Sequence, residues 1–379
     1  MCIRDSQKYQ EELEKINFNQ EVYDLAKKLV NCLGYEHENV YYLDANKIEQ
    51  YSKEYNETEP RCAIAKDFDY NVEIIQFEKE IRNYPYVVGS GCGWAWIVNS
   101  GAGEMQSSIS LVTSDGKELR RHYTDPNKAG NPSRTAVDKY GNVWVGNRNS
   151  PYLVKILFNE KECKGKIPKD LNGNGKVDKE EMVDFNEDGC IEVKLKLCSG
   201  SWTIRAVCID KDGETIYAGC WDEKKFFKIS KDGSILKSWN LPINPYGCVV
   251  GNDGKVYITE YPGRFAILDP ENDKVEVFNL GAYGIWRCYK ADCVIINGGG
   301  AVTLFNTTTK KVVWSKSYPG CGGWKGVVVD EDENIYVANG GNTICKLDLK
   351  GNVIKIEKSC SSTHGVGIDV CGNIWIACY

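Results

Sequence analysis

No run of about 18 consecutive apolar residues occurs anywhere in the chain, so no segment reads as a membrane-spanning helix. The first 30 residues carry Glu11, Glu12, Glu14 and Lys15 where a signal peptide would have its apolar stretch. Positive charge is in deficit as well. Lys and Arg number 47 against 53 Asp and Glu, and a net charge of -6 removes any bulk attraction to nucleic acid or an anionic membrane. Histidine is scarce, with only His37, His122 and His364 to share a zinc ion or move a proton. Neither a Gly-x-Ser-x-Gly elbow nor a phosphate-cradling glycine loop is present, which removes the main sequence signals of serine hydrolysis and nucleotide binding.

What is abundant is cysteine. Seventeen are scattered along the chain without Cys-x-x-Cys pairing, which favours disulfides over zinc and an extracellular or cell-surface location. The missing export signal conflicts with that reading. Met1 to Ser6 resembles a translated sequencing-adapter scar of the kind seen in metagenomic assemblies, so the natural start is expected to be lost; without Cys2, sixteen cysteines remain.

Residues 7–62 are charged and polar, with Leu13, Ile16, Tyr23, Ala26, Leu29 and Val30 at helical spacing, and predict a short α-helical segment. The grammar then changes. An apolar strand, a turn and a second strand recur in Thr135 to Asn147, Ala206 to Gly219, Gly247 to Thr259, Gly326 to Asn339 and Gly365 to Cys378, with weaker copies around Trp94 and Arg287. Their turns fall near 141, 213, 254, 292, 333 and 372, a period of about 40 residues outside one insertion. A four-stranded unit repeated at that period predicts an all-β, seven-bladed β-propeller over residues 63–379, with an insertion at about 160–200 following the second blade. The final unit holds only two strands, and strands near 70–77 and 84–88 are expected to complete it, since a ring cannot leave edges exposed.

Pro132 to Arg148 and Gly365 to Cys378 resemble the repeats of the NHL and virginiamycin B lyase-like (streptogramin lyase) propeller superfamily. The likeness spans about residues 84–379 and implies the fold; such propellers include binding modules, scaffolds and enzymes. The enzymes use histidines and a glutamate-bound magnesium at the channel mouth, and the resemblance places one such histidine at His364. No second propeller histidine lies in a repeat, and Glu260 is the only carboxylate attractively placed near a second-strand end.

The insertion carries the sharpest motif. Asp170, Asn172, Asn174, Gly175, the Lys176 carbonyl, Asp178 and Glu181 match a twelve-residue calcium loop of hard oxygens, with Gly175 permitting the tight turn. A second run, Asp184, Asn186, Asp188, Cys190 and Glu192, starts correctly but has Leu195 at the twelfth position, so it predicts a weaker or shared Ca²⁺ site. The two lie too close for the helices of an EF-hand pair, and the segment resembles a dockerin or thrombospondin-type insert. Cys163 with Cys190 or Cys198 is expected to staple it, while Cys208 with Cys220 and Cys288 with Cys293 are placed to bridge neighbouring strands.

Five residues before each turn-leading position stand Ser133, Arg205, Tyr246, Tyr283, Lys325 and His364, predicted to ring one mouth of the channel together with Arg134, Trp286 and Trp324. Cationic and aromatic groups suit an anionic or carbohydrate-like ligand. The sequence therefore predicts a secreted, calcium-stabilised propeller that binds or assembles without catalysis, its partner being itself or an extracellular protein or glycan. The alternative is a metal-assisted lyase or hydrolase working through His364, Arg205 and Lys325.

Overall fold

The structure, a computed structural model, describes residues 72–75 and 93–378 apart from 101–104, 201–202, 322–324 and 370–371. The segments read as a scar and as a helix, and the strand expected at 84–88, lie outside the described residues.

The recurring phrase folds as a hairpin because its leading aspartate organises the turn. Asp138 Oδ1 accepts the backbone N–H of Tyr140 at 2.9 Å and of Asn142 at 3.0 Å, and Asp330 does the same for Asp332 and Asn334. The chain then passes through the left-handed region, at Gly141 with φ 83° and at Glu333 with φ 65° in the equivalent turn.

Six blades are each formed by consecutive antiparallel strands. Blade 1 comprises β2 (Trp94–Asn99), β3 (Ser108–Thr113) and β4 (Glu118–Tyr123). Blade 2 comprises β5 (Pro132–Val137), β6 (Val143–Asn147), β7 (Tyr152–Ile156) and β8 (Ile191–Lys196). Blade 3 runs β9 (Ile204–Ile209), β10 (Ile216–Cys220), β11 (Lys225–Ile229) and β12 (Ile235–Asn240), and blade 4 runs β13 (Gly247–Val250), β14 (Val256–Glu260), β15 (Arg264–Asp269) and β16 (Lys274–Phe278). Blade 5 is β17 (Gly284–Arg287), β18 (Cys293–Gly298), β19 (Ala301–Asn306) and β20 (Lys311–Lys316). Blade 6 is β21 (Val327–Val329), β22 (Ile335–Ala338), β23 (Thr343–Leu347) and β24 (Val353–Lys358).

The expectation of seven blades with a helical N-terminal segment is thus corrected to an all-β six-bladed propeller with no α-helix among the described residues. The last copy of the repeat, counted as a blade in the sequence, holds only β25 (Thr363–Ile368) and β26 (Ile374–Cys378); it is a composite sheet completed by β1 (Val72–Ile75) from the other end of the chain. The strand expected near 70–77 is thus found where the sequence placed it, beside β26. The closing sheet seals the circle where Trp375 packs on Ile97 and Val112, and where Gly93 N–H donates to Asp369 at 3.1 Å.

The innermost strands β5, β9, β13, β17, β21 and β25 follow one another around the axis. Between blades the core is apolar, as where Trp144 and Leu153 of blade 2 meet Ile204, Val207 and Ile216 of blade 3; each such fully buried side chain contributes about 1.5–3 kcal/mol.

The insertion lies within blade 2, between β7 and β8, and not after that blade as expected. It folds back across β4, the outer strand of the three-stranded blade 1. Glu118 N–H donates to Gly175 O at 2.8 Å, Arg121 N–H to Pro168 O at 3.3 Å, and Val177 N–H to the Glu118 carboxylate at 2.9 Å. The insertion thereby occupies an edge that would otherwise be open. His122 Nδ1 also sits 2.7 Å from Asp188 Oδ2 with both side chains fully buried, and the Arg120 guanidinium donates to the carbonyls of Leu157 and Phe158.

All twelve cysteines among the described residues are paired: Cys163–Cys190, Cys198–Cys220, Cys208–Cys248, Cys288–Cys293, Cys321–Cys345 and Cys360–Cys378. The staple on the insertion takes Cys190, and Cys288 bridges to Cys293 as the spacing indicated. The Cys208–Cys220 bridge does not form. Cys208 faces blade 4 and Cys220 faces blade 2, on opposite sides of their shared sheet, so each reaches to a different neighbour. Among the described residues no helix is long and apolar enough to cross a membrane.

Candidate functional site

Each innermost strand begins at the same end of the channel, and the side chains at those starts meet there. Arg134 from β5 spans to blade 4, with Nε donating to the Tyr246 carbonyl at 3.2 Å and the guanidinium carbon 4.6 Å from the Tyr246 ring centre. Its Nη1 donates to Ser133 O at 2.8 Å. The Arg205 guanidinium lies 4.5 Å from the same ring centre, and the Tyr246 and Tyr283 rings are 4.9 Å apart. Lys325 Nζ stands 5.8 Å from the Tyr283 ring and 2.6 Å from His364 Nε2. Five of the six residues counted back from the turns, all but Ser133, thus form one connected group with Arg134. Ser133 lies beside it, its hydroxyl oxygen buried without a hydrogen bond.

Trp286 is not part of this group. It lies in β17 and packs between blades 5 and 6 against the cores that contain Val327 and Val328, because alternation along the strand turns it from the channel. Trp324 lies outside the described residues. Three residues join the group that the spacing rule passed over: Trp221 with its ring 5.3 Å from Tyr246, Tyr261 with its ring 5.6 Å from both Tyr246 and Tyr283, and Arg148, whose charge acts on Arg205 and His364. Each directly follows the second strand of its blade, which ends beside the start of the first. That position was a readable signal.

The electrostatics are those of crowded cations. Burial, then the charges of Arg134 and Arg148, push Arg205 down to about 10. Lys325 is lowered by burial, and His364 is held below the ordinary histidine range by burial and then by Lys325. Burial raises the Tyr246 phenol, but Arg134 and Arg205 outweigh it and leave that phenol below its usual value. With His364 neutral, the 2.6 Å contact has the Lys325 ammonium donating to Nε2, while Nδ1 faces Ser362 O at 3.3 Å. Glu260 is spoken for by the Arg264 guanidinium and the Asn244 N–H, and does not enter the group as a counter-charge.

In the insertion, the first calcium-type loop closes on itself. Asp170 accepts from the N–H groups of Gly173, Asn174 and Gly175, and Glu181 from those of Leu171, Asn172 and Asp178. Asn172 and Asn174 both reach Asp178 Oδ2 at 2.8 Å, and Gly175 takes φ 87°. The carboxylates of Asp170 and Glu181 thus cap the loop's own backbone and the amide nitrogens of Asn172 and Asn174 meet Asp178, while the side-chain oxygens at positions one, three, five, nine and twelve are hard oxygens of the type calcium takes.

The second run is not brought together. Asp184 pairs with Lys128 at 3.0 Å, Asp188 is buried on His122, Glu192 pairs with Lys155 at 2.6 Å, and the Cys190 carbonyl accepts from Leu157 N–H. Asn186 is exposed. Among the described residues the only trio of cysteine, histidine or carboxylate ligand atoms that closes up is Cys198, Cys220 and Glu223, and its two sulfurs are joined to each other.

No family model matches this sequence, and no curated protein matches it. Solved structures of the same fold do. A streptogramin B lyase structure superposes with a TM-score of 0.58 at 14% identity, covering 81% of this chain and 97% of that one. Virginiamycin B lyase from Staphylococcus aureus gives 0.58 at 16% identity, covering 82% and 99%. Its catalytically inactive histidine-to-alanine variant with quinupristin gives 0.57 at 17% identity. The chain is therefore a β-propeller of virginiamycin B lyase-like architecture, and identities this low establish the fold alone.

Proposed function

We propose that this chain is a non-catalytic extracellular binding module, a propeller made durable by disulfides and calcium that holds its partner at the channel mouth. The observation that carries this reading is the state of His364. A general base needs an accessible lone pair, and here Nε2 already accepts from Lys325 while the surrounding cations disfavour protonation. A lyase acting through His364, Arg205 and Lys325 would need a proton-transfer partner, and Glu260 is committed to Arg264. Six disulfides support an oxidising location. The oxygen-bearing side chains of Asp170, Asn172, Asn174, Asp178 and Glu181 at calcium-loop spacing support calcium, and its role is structural because the loop they belong to is bonded to blade 1.

The test is turnover. Purified protein incubated with quinupristin and followed by mass spectrometry is expected to leave the compound intact, with or without magnesium, and His364→Ala is expected to behave identically. Breakdown by the wild type that His364→Ala abolishes would replace this reading with the lyase.

A further inference from the structure

We infer that Asn172 and Asn174 are sites of spontaneous deamidation, each losing its side-chain amide to become aspartate or isoaspartate, and that the change turns a loop held by its own amides into one that needs a cation. The conversion does not depend on the calcium reading; its consequence rests on it.

Each of the two asparagines is followed by glycine, which has no Cβ to hinder its backbone nitrogen from reaching back to the preceding side chain. Asn172 and Asn174 are exposed, Gly173 and Gly175 take φ 75° and 87°, and a Cβ added at Gly173 would meet nothing within 4 Å. The N–H groups of both glycines donate to Asp170, at 2.7 Å and 2.8 Å, so each attacking nitrogen has a carboxylate ready for its proton. In the step, the glycine nitrogen bonds to the asparagine Cγ and ammonia leaves, closing a cyclic imide. Water then opens the ring at either carbonyl. One water is consumed and one ammonia released for each carboxylate gained.

The chain's other two Asn–Gly steps show what holds the reaction back. Asn297 is fully buried in β18 with its amide on the carbonyls of Lys325 and Ala338, and a Cβ at Gly298 would lie 2.8 Å from the Ala282 backbone. Asn339 donates to Gly320 O and accepts from Gly341 N–H, each at 2.7 Å, while Gly340 N–H is bonded to the Thr363 hydroxyl. In the loop, by contrast, the amides of Asn172 and Asn174 both donate to one exposed oxygen, Asp178 Oδ2, at 2.8 Å. Conversion removes those two donors and sets new carboxylates beside Asp178, in a loop that Asp170 and Glu181 already make acidic. Like charges so placed repel. The loop loosens unless a cation neutralises it, and a larger ligand charge is what strengthens a calcium loop.

The experiment incubates the purified protein at mildly alkaline pH, with calcium or with a chelator, and follows every Asn–Gly peptide by mass spectrometry. In chelator, the peptide holding Asn172 and Asn174 is expected to gain the mass of an amide-to-acid exchange at least about tenfold faster than those holding Asn297 and Asn339, whose surroundings must open first. Calcium should slow that gain. Asn172→Asp combined with Asn174→Asp is one product of the reaction made directly. In chelator, hydrogen exchange over residues 168–177 of this double variant should run about tenfold faster than in wild type, as loss of a charge-assisted hydrogen bond brings, and calcium should reverse it. Unchanged exchange in the blades would show that the variant folds. Conversion no faster than at Asn297 and Asn339 would overturn the inference, and a double variant that exchanges like wild type in chelator would overturn its consequence. Conversion that calcium does not slow, with faster exchange that calcium does not reverse, would count against calcium in the loop and leave the deamidation sites standing.

Discussion

Glu118 lies 1% exposed at the start of β4 and is predicted to be the most costly single carboxylate to remove. It accepts from the Ser110 hydroxyl, from Arg121 Nε at 2.6 Å and from the backbone N–H of Val177 at 2.9 Å. One side chain therefore joins the second strand of its blade, its own strand and the insertion. Breaking a buried pair by deleting one partner costs about 3–5 kcal/mol, against a whole-domain stability of about 5–15 kcal/mol. The pair of Lys166 and Glu187 has the same charge types, but its side chains are 70% and 58% exposed, and such pairs are worth roughly 0–1 kcal/mol. Urea unfolding of Glu118→Ala and Glu187→Ala, under oxidising conditions and followed by circular dichroism, should show a large drop in midpoint for the first and almost none for the second. Hydrogen exchange should show faster exchange in β4 and in residues 168–177 of Glu118→Ala. Equal midpoints for the two variants would refute the claim that Glu118 anchors the insertion to blade 1.

Calcium is predicted to raise the melting temperature of the wild type and of Glu192→Gln, but not of Asp170→Asn or Glu181→Gln, in scans with the ion or with a chelator; loss of the response in Glu192→Gln would restore the second run as a ligand set. Removing Cys208 and Cys248 together, 40 positions apart, should cost about 4 kcal/mol, whereas removing Cys288 and Cys293, 5 apart, should cost about 2. Chemical unfolding of the two double alanine variants tests that order. His364 is held below its ordinary 6.5, so the unfolded chain takes up the proton first and stability falls as pH drops through about 6.5. His364→Gln should flatten that fall between pH 7 and 5 in thermal melts, and an unchanged slope would mean the imidazole is not kept neutral.

Much of the circle was readable because its information is local. Asp138 and Asp330 each bond to backbone two and four residues on, so the phrases around them are visible without knowing any partner. Counting back from that aspartate reached Arg205, Tyr246, Tyr283, Lys325 and His364 because it lands at the start of every innermost strand. It missed Arg148, Trp221 and Tyr261, which reach the mouth from the end of the adjoining strand. It misplaced Trp286, where the pleat sets the side chain between blades. What failed was information held by tertiary partners. Asp188 looks like a ligand until His122, 66 positions away, is found against it, and Cys208 looks destined for Cys220 until the blades on either face claim them separately. The closure was legible, because the last phrase lacks its outer strands and a strand near 70–77 was free to supply one, as β1 does beside β26; the blade count failed because that incomplete phrase was tallied as a blade like the others.

That late partnership has a kinetic consequence. Gly93 and Asp369 are 276 positions apart, and β1 must wait for β26 before it has its neighbour. Blades made in series can form as the chain emerges from the ribosome, but the β1–β26 join cannot form until β26 has emerged, long after β1. Such distant contacts are slow to form. The nascent protein therefore passes through an unclosed horseshoe with a naked strand at one lip, and that interval is when it is most open to pairing with a neighbouring copy of itself or to capture by a chaperone.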